Sequence, residues 1–343
     1  MKITVKGTVK FVLMLALACV LLYYAFSGIS WTDFVEGLRS CNWLWISAAM
    51  ITGFLAILFR GLRWRLMLLP VAPKLKRKAC YDAYSVCYLS NLAVPRSGEL
   101  VRCGMLASDG SVSFENAFGS MILERSWDLV INIVAALCVV LFTRFRPFII
   151  EKMWTPFCDN LSFNIVWLLV AAVVMVGIAV WAIFAFKDRI KASKTGQKLF
   201  RFAHGFFNGF KAGFKMKHNG TFIVYTLAIL ICYWFESMFV ILAFPAVSHL
   251  GLMDALLITV IGSVGWLVPV QGGFGAYHFL VSVAMVPLYG ISQSEGIVFA
   301  TISHETQVLM MIICGTLSLI SVALAKKKAV APSMTEQQPA SQE

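Results

Sequence analysis

Charge is what this sequence has least of. Asp, Glu, Lys and Arg make up only 13% of its 343 residues, against about 25% in soluble domains, while 59% are hydrophobic and the mean hydropathy is +0.80. That balance excludes a soluble globular protein. Long polar stretches are missing as well. The longest, Lys187 to Asn219, spans 33 residues, below the size at which a domain usually folds alone. No soluble catalytic domain is therefore expected, and any chemistry falls to membrane-embedded side chains. The nine cysteines include no CxxC pair, which argues against a disulfide or zinc framework. Only five histidines occur, and His304-Glu305-Thr306-Gln307-Val308 is not HExxH, so a zinc peptidase has no support. GxSxG, a Walker loop and a GxGxxG following a strand are absent too. No metal and no cofactor are expected on these grounds.

What is present is a series of apolar runs near the roughly 20 residues that cross a bilayer. They fall at about Phe11–Phe26, Trp43–Phe59, Val130–Phe142, Phe163–Phe186, Thr221–Phe244, Ala255–Val268, Phe274–Tyr289 and Gln307–Ala325. The expected fold is all-α, a polytopic membrane bundle of about eight spans. Lys2, Lys6 and Lys10 precede the first run, but no small-x-small cleavage site follows it, so it reads as an uncleaved helix.

Of the 29 Lys and Arg, 22 cluster at the N-terminus, Arg60–Lys78, Lys187–Asn219 and Lys326–Lys328. Basic residues accumulate on the cytoplasmic side, which puts all four regions and both termini inside. This bias and lipid contact account for the net charge of +12, so nucleic acid is not an expected partner. The phenylalanines interleaved with the basic residues of Lys187–Asn219 suit a helix lying on anionic lipid. Residues 1–328 then form one integral membrane domain, and 329–343 a disordered cytoplasmic tail.

The charge assignment forces two segments to turn back. Ala79 to about Asp128 must begin and end inside, and Pro245 to Glu305 must begin and end outside. Each contains Val-Pro-x-x-Gly: Val94-Pro95-Arg96-Ser97-Gly98 and Val268-Pro269-Val270-Gln271-Gly272. Proline ends a helix and glycine lets the chain reverse. Pro95, Gly98, Pro269, Gly272 and Gly273 are thus expected to shape two re-entrant hairpins of opposite orientation. Interrupted hydrophobic segments at corresponding positions of two halves mark inverted-repeat transporters.

Charges inside such a bundle cost roughly 2.5–3.5 kcal/mol each on insertion scales and mark function or pairing. Arg96, Glu99 and Arg102, on a helix beginning at Pro95, would put Glu99 beside both arginines and form an anion site suited to phosphate. Glu124 and Asp128, four apart and flanking Arg125, could counter Arg96 or Arg102. Glu236 stands alone in an apolar run, and His304-Glu305 lies at the mouth of the last span. Glu236, His278 and Glu305 are the candidates for carrying protons.

The block Asn91-Leu-Ala-Val-Pro-Arg-Ser-Gly-Glu-Leu-Val-Arg102, with Glu124-Arg125 and Asp128, Arg60-Gly-Leu-Arg-Trp64 and Pro269-Val-Gln-Gly-Gly-Phe-Gly275, resembles one family. It is the lysylphosphatidylglycerol synthase transmembrane-region, or flippase-like, family, and the resemblance runs from about Lys2 to Lys328. It implies a membrane unit that moves a lipid between leaflets. The substrate-binding candidates are Asn91, Arg96, Glu99, Arg102, Glu124, Arg125 and Asp128, with Arg96 and Arg102 engaging the phosphate and Glu99, Glu124, Arg125 and Asp128 positioning them or acting as a gate. In bifunctional members a separate soluble domain makes the aminoacylated lipid, so synthase activity is not carried over. Where members often place a glutamate after the glycine turn, this chain has His278.

The expected function is a flippase or transporter, not an enzyme, for an anionic phospholipid or polyprenyl-linked lipid in the cell inner membrane. The alternatives are a membrane-embedded transferase using Glu99 and Asp128 on a lipid-linked substrate, and a non-transporting assembly subunit. Membrane lipids, a separately encoded lipid-modifying transferase and a second copy of the chain are the expected partners.

Overall fold

The computed structural model describes residues 5–27, 31–142, 175, 204–208, 211 and 216–335. Within them the secondary structure is helical, with no strand. The helices are α1 (Val5–Phe26), α2 (Trp31–Arg39), α3 (Trp43–Leu68), α4 (Arg77–Ala93), α5 (Gly98–Ser108), α6 (Phe114–Phe142), α7 (Asn219–Ala243), α8 (Leu252–Leu267), α9 (Ala276–Tyr289) and α10 (Gln293–Thr335). Five stretches are long and apolar enough to cross a membrane: α3, α6, α7, the glycine turn with α9, and α10 to Ala325; Leu15–Phe26 of α1 and the whole of α8 are shorter apolar stretches. The chain is a multi-pass membrane protein. The expected span Phe163–Phe186 and most of the basic stretch Lys187–Asn219 lie outside the described residues.

Boundaries differ from expectation in ways that matter. The second span continues beyond Phe59 to Leu68, so Arg60 and Arg63 are inside a helix rather than in a cytoplasmic loop. The helix expected at Val130 starts at Phe114, which confines the first hairpin to α4 and α5. The last helix starts at Gln293, placing His304-Glu305 within it rather than at its mouth. The same helix runs to Thr335, past the expected start of the tail, and residues 336–343 lie outside the described residues.

The repeat extends well beyond the two VPxxG turns. Each half is a long helix, a two-helix hairpin and another long helix: α3, α4–α5, α6 and α7, α8–α9, α10. Exchanging the halves maps their packing onto itself. Helix α3 lies along α7; α4 packs on α10 as α8 packs on α6; α5 packs on α6 as α9 packs on α10. Outward faces are apolar, with Leu129, Ile133 and Leu137 on α6 and Leu309, Leu317 and Ile320 on α10 exposed. Charged side chains are buried between the helices instead, the arrangement that a hydrocarbon solvent favours.

The hairpins meet at their tips. In the first, Gly98 lies so close to α4 that a Cβ there would overlap the Cys87 carbonyl. Asn91 closes the turn, its Oδ1 accepting from Gly98 N at 2.8 Å and its Nδ2 donating to Glu99 at 3.3 Å. In the second, Gly272, Gly273 and Gly275 all have positive φ (52°, 75° and 78°), which L side chains disfavour. Arg96 Nη2 donates to Leu267 O at 2.6 Å, and Leu92 packs where a Gly272 Cβ would sit. No extended packing of α4 or α5 along α8 or α9 accompanies these contacts. The approach is end-on, as opposed hairpins require.

Candidate functional site: a buried arginine–carboxylate cluster

Helical spacing assembles the site. Arg60 and Arg63 are three apart on α3, and Glu124 and Asp128 four apart on α6, so each pair shares a face. The faces meet where α3, α4, α5, α6 and α7 converge. Asp128 accepts from Arg60 Nη1 at 2.8 Å and from Arg63 Nη2 at 2.5 Å, with Arg125 Nη1 at 3.6 Å. Glu124 accepts from Arg63 Nη2 at 3.2 Å, and its other oxygen lies 2.7 Å from Arg102 Nη1.

Arg102 is wholly buried, its guanidinium 4.4 Å from the ring centres of both Trp64 and Tyr84. The contact with Glu124 is close in distance but off the hydrogen-bonding direction, and none of the three guanidinium nitrogens has a hydrogen-bond partner among the described residues. Charge attraction and the two aromatic faces hold it, a cation–π arrangement worth about 2 kcal/mol or more when desolvated. Trp64 is fixed in turn by its indole N–H donating to Ser120 Oγ at 3.0 Å.

The Tyr84 hydroxyl ties the cluster together. It donates to Glu124 at 2.8 Å and accepts from Arg125 at 2.6 Å and Arg60 at 3.5 Å. Hydrogen bonds to charged groups contribute about 1.5–3 kcal/mol. Tyr84→Phe keeps the ring against Arg102 and removes only the hydroxyl. A stability loss of about 2 kcal/mol is expected, read as a lower unfolding midpoint in detergent.

Among the described residues, four arginines (60, 63, 102 and 125) therefore face two carboxylates (124 and 128), an excess of two positive charges. The excess is not sealed in: the Arg60 and Arg125 side chains are 12% and 35% exposed, against 1% and 0% for Arg63 and Arg102. Tyr233 on α7 accepts from Arg60 Nε at 2.9 Å, with the Tyr88 hydroxyl 3.3 Å away, which lines the open side with hydroxyls.

The structure joins Arg102, Glu124, Arg125 and Asp128 and adds Arg60 and Arg63, which charge counting had assigned to a loop. Their signal was the i, i+3 spacing within Arg60-Gly-Leu-Arg-Trp64 at the end of an apolar run. Arg96 is elsewhere, which corrects the expected Arg96–Glu99–Arg102 face. Helix α5 begins at Gly98, and Arg96, in a left-handed conformation with φ of 59°, spends its guanidinium on the second hairpin. Glu99 belongs to the Asn91 clip.

At the second hairpin tip the structure joins His278 and Glu305 with His304, which was noted in the sequence without a role. Glu305 Oε1 lies 3.0 Å from His304 Nδ1 and 3.6 Å from His278 Nε2. His304 Nε2 is 2.8 Å from Gly272 O. Glu236 does not join them. It is buried, its carboxylate against Gly53 of α3.

The sequence model of the family described as the lysylphosphatidylglycerol synthase TM region matches residues 11–315. No curated protein and no solved structure matches the chain. The match spans both hairpins, the arginine–carboxylate cluster and the histidine pair, and it points to a membrane lipid-related function. The chain belongs to the lysylphosphatidylglycerol synthase transmembrane-region family.

Proposed function

We propose that the chain moves a phosphate-bearing lipid between leaflets, with the headgroup phosphate taken up at the open side of the arginine cluster. The observation that supports this is the two-charge surplus, exposed at Arg60 and Arg125. A guanidinium offers planar donors that match a phosphate, and an incoming anion would neutralise charge that the protein leaves uncompensated. Tyr88 and Tyr233 would supply neutral hydroxyls beside it. The opposed hairpins give a means of exchange: small rigid-body movements of the halves would open the cluster to each leaflet in turn.

The transferase alternative draws less support, because Asp128 is engaged by Arg60 and Arg63 and Glu99 by Asn91. On this reading the chain performs no covalent step. It acts in the cytoplasmic membrane with both termini inside, as the distribution of Lys and Arg supports. A lipid made by a separately encoded transferase would be its cargo.

Purified protein in proteoliposomes with a headgroup-labelled anionic lipid tests the idea. Arg125→Ala removes an exposed part of the surplus, so the fold should survive. The expected result is at least a tenfold loss of transbilayer movement with an unchanged chromatographic profile, and partial rescue by Arg125→Lys. Wild-type movement in a folded Arg125→Ala protein would overturn the phosphate site.

A further inference from the structure

The histidine pair at the second hairpin tip poses a proton-counting problem. The Gly272 carbonyl has only lone pairs, so the His304 Nε2 facing it at 2.8 Å must carry a hydrogen. A neutral imidazole has one such hydrogen. His304 Nδ1 therefore presents a lone pair to Glu305 Oε1, which is 3.0 Å away and also an acceptor. Something must lie between them: a proton, carried by the ring or by the carboxyl, or a metal ion.

His278 favours the ion. It is only 2% exposed, and its Nε2 is 3.6 Å from Glu305 Oε1, too long for a hydrogen bond. A proton between His304 and Glu305 leaves the His278 Nε2 unengaged, whereas an ion takes its lone pair; the Nδ1, with no hydrogen-bond partner among the described residues, is unsatisfied in either case. The three ligand atoms all lie within 4.8 Å of one another; ligands of one ion bound at about 2.0–2.1 Å are at most about 4.2 Å apart, so binding draws the two histidine rings together. The two separations to Glu305, 3.0 and 3.6 Å, bracket the roughly 3.4 Å between ligand atoms on a tetrahedral ion bound at about 2.0–2.1 Å.

The surroundings are those of a built site. The Nε2–H of His304 on a backbone carbonyl fixes tautomer and ring orientation, as outer partners of metal-bound histidines do. Trp266 stacks on His304 at 5.2 Å between ring centres, and Phe274 meets its edge at 4.8 Å. Glu305, 43% exposed, gives the buried pair an opening. The position also has a counterpart in the repeat. Arg102 on α5 faces Glu124 on α6, just as His278 on α9 faces Glu305 on α10.

We propose that His278 Nε2, His304 Nδ1 and Glu305 Oε1 form a binding site for one divalent transition-metal ion of the zinc class. The ion pins the Gly272 turn through His304 and joins α9 to α10. Two histidines and a carboxylate leave a fourth position open. The proposal uses no part of the lipid reading and does not depend on transport.

The test uses the full chain, purified in detergent without a polyhistidine tag, stripped with chelator and re-equilibrated with Zn2+ or Co2+. One Zn2+ per chain is expected, together with the visible absorption of tetrahedrally bound Co2+. His278→Asn and Glu305→Gln should each weaken binding at least about tenfold, while His249→Asn, at an exposed histidine outside the cluster, should not. His304 is spared because its replacement also releases the Gly272 turn. Equal binding by wild type and both variants, or no bound ion in the wild type, overturns the site in favour of a protonated His304–Glu305 pair.

Discussion

Glu124→Gln is expected to unfold much of the protein. Glu124 is wholly buried and answers Arg63, Arg102 and the Tyr84 hydroxyl at once. Glutamine is nearly the same size, so the loss is one of charge rather than shape. It removes one of two carboxylates facing four arginines and turns a donor toward guanidinium groups that already lack acceptors. Breaking a buried ion pair from one side costs about 3–5 kcal/mol, because the abandoned charge stays buried. The unfolding midpoint should fall by roughly 10 °C, with much of the protein aggregated on size exclusion. Removing Arg102 as well should restore part of the loss, since Arg102→Gln takes away the stranded charge. If Glu124→Gln melts with the wild type, the ion pairs do not hold these helices together.

Gly98→Ala carries the second large effect. Its added Cβ would overlap the Cys87 carbonyl, with the Cys87 carbonyl carbon at 2.7 Å and Sγ at 2.9 Å. Overpacking against side chains costs about 1–3 kcal/mol. Here the obstacle is backbone in α4, which cannot rotate away, so α5 must separate from α4. That would also pull Gly98 N from Asn91 Oδ1 and shift Arg102 out of its aromatic slot. Gly104, on the same helix with nothing within 4 Å of its Cβ position, is the matched control. Gly104→Ala should be neutral or slightly stabilising, since alanine favours a helix by roughly 0.5–1 kcal/mol over glycine. The measurements are the monodisperse fraction and protease sensitivity of the α4–α5 turn. Equal behaviour of the two variants would mean that the hairpin closes less tightly than described.

Much of the architecture was legible in one dimension. Apolar run length marked membrane helices because hydrocarbon tolerates few other backbones. The two Val-Pro-x-x-Gly turns stood out because proline and glycine act locally, whatever surrounds them. Glu124 and Asp128 were placed on one face because helical spacing is itself local.

The same local logic misled at Arg60, Arg63 and Arg96. Basic residues after an apolar run read as a loop, since the cost of burying them depends on partners far along the chain. For Arg63 those partners are Glu124 and Asp128, more than 60 residues away. Arg96 seemed to lie on a helix with Arg102 because nothing nearby revealed that its guanidinium would be spent on Leu267 O, 171 residues away.

The sequence alone determined that the protein is a multi-pass helical membrane protein with two broken hydrophobic hairpins, because hydropathy and backbone breakers act within a few residues of themselves. Tertiary structure decided which arginines oppose which carboxylates, that the hairpin tips meet, and that His278 joins His304 and Glu305. Those outcomes are contacts between distant segments, and the energy of a buried charge is set by whatever the fold brings beside it.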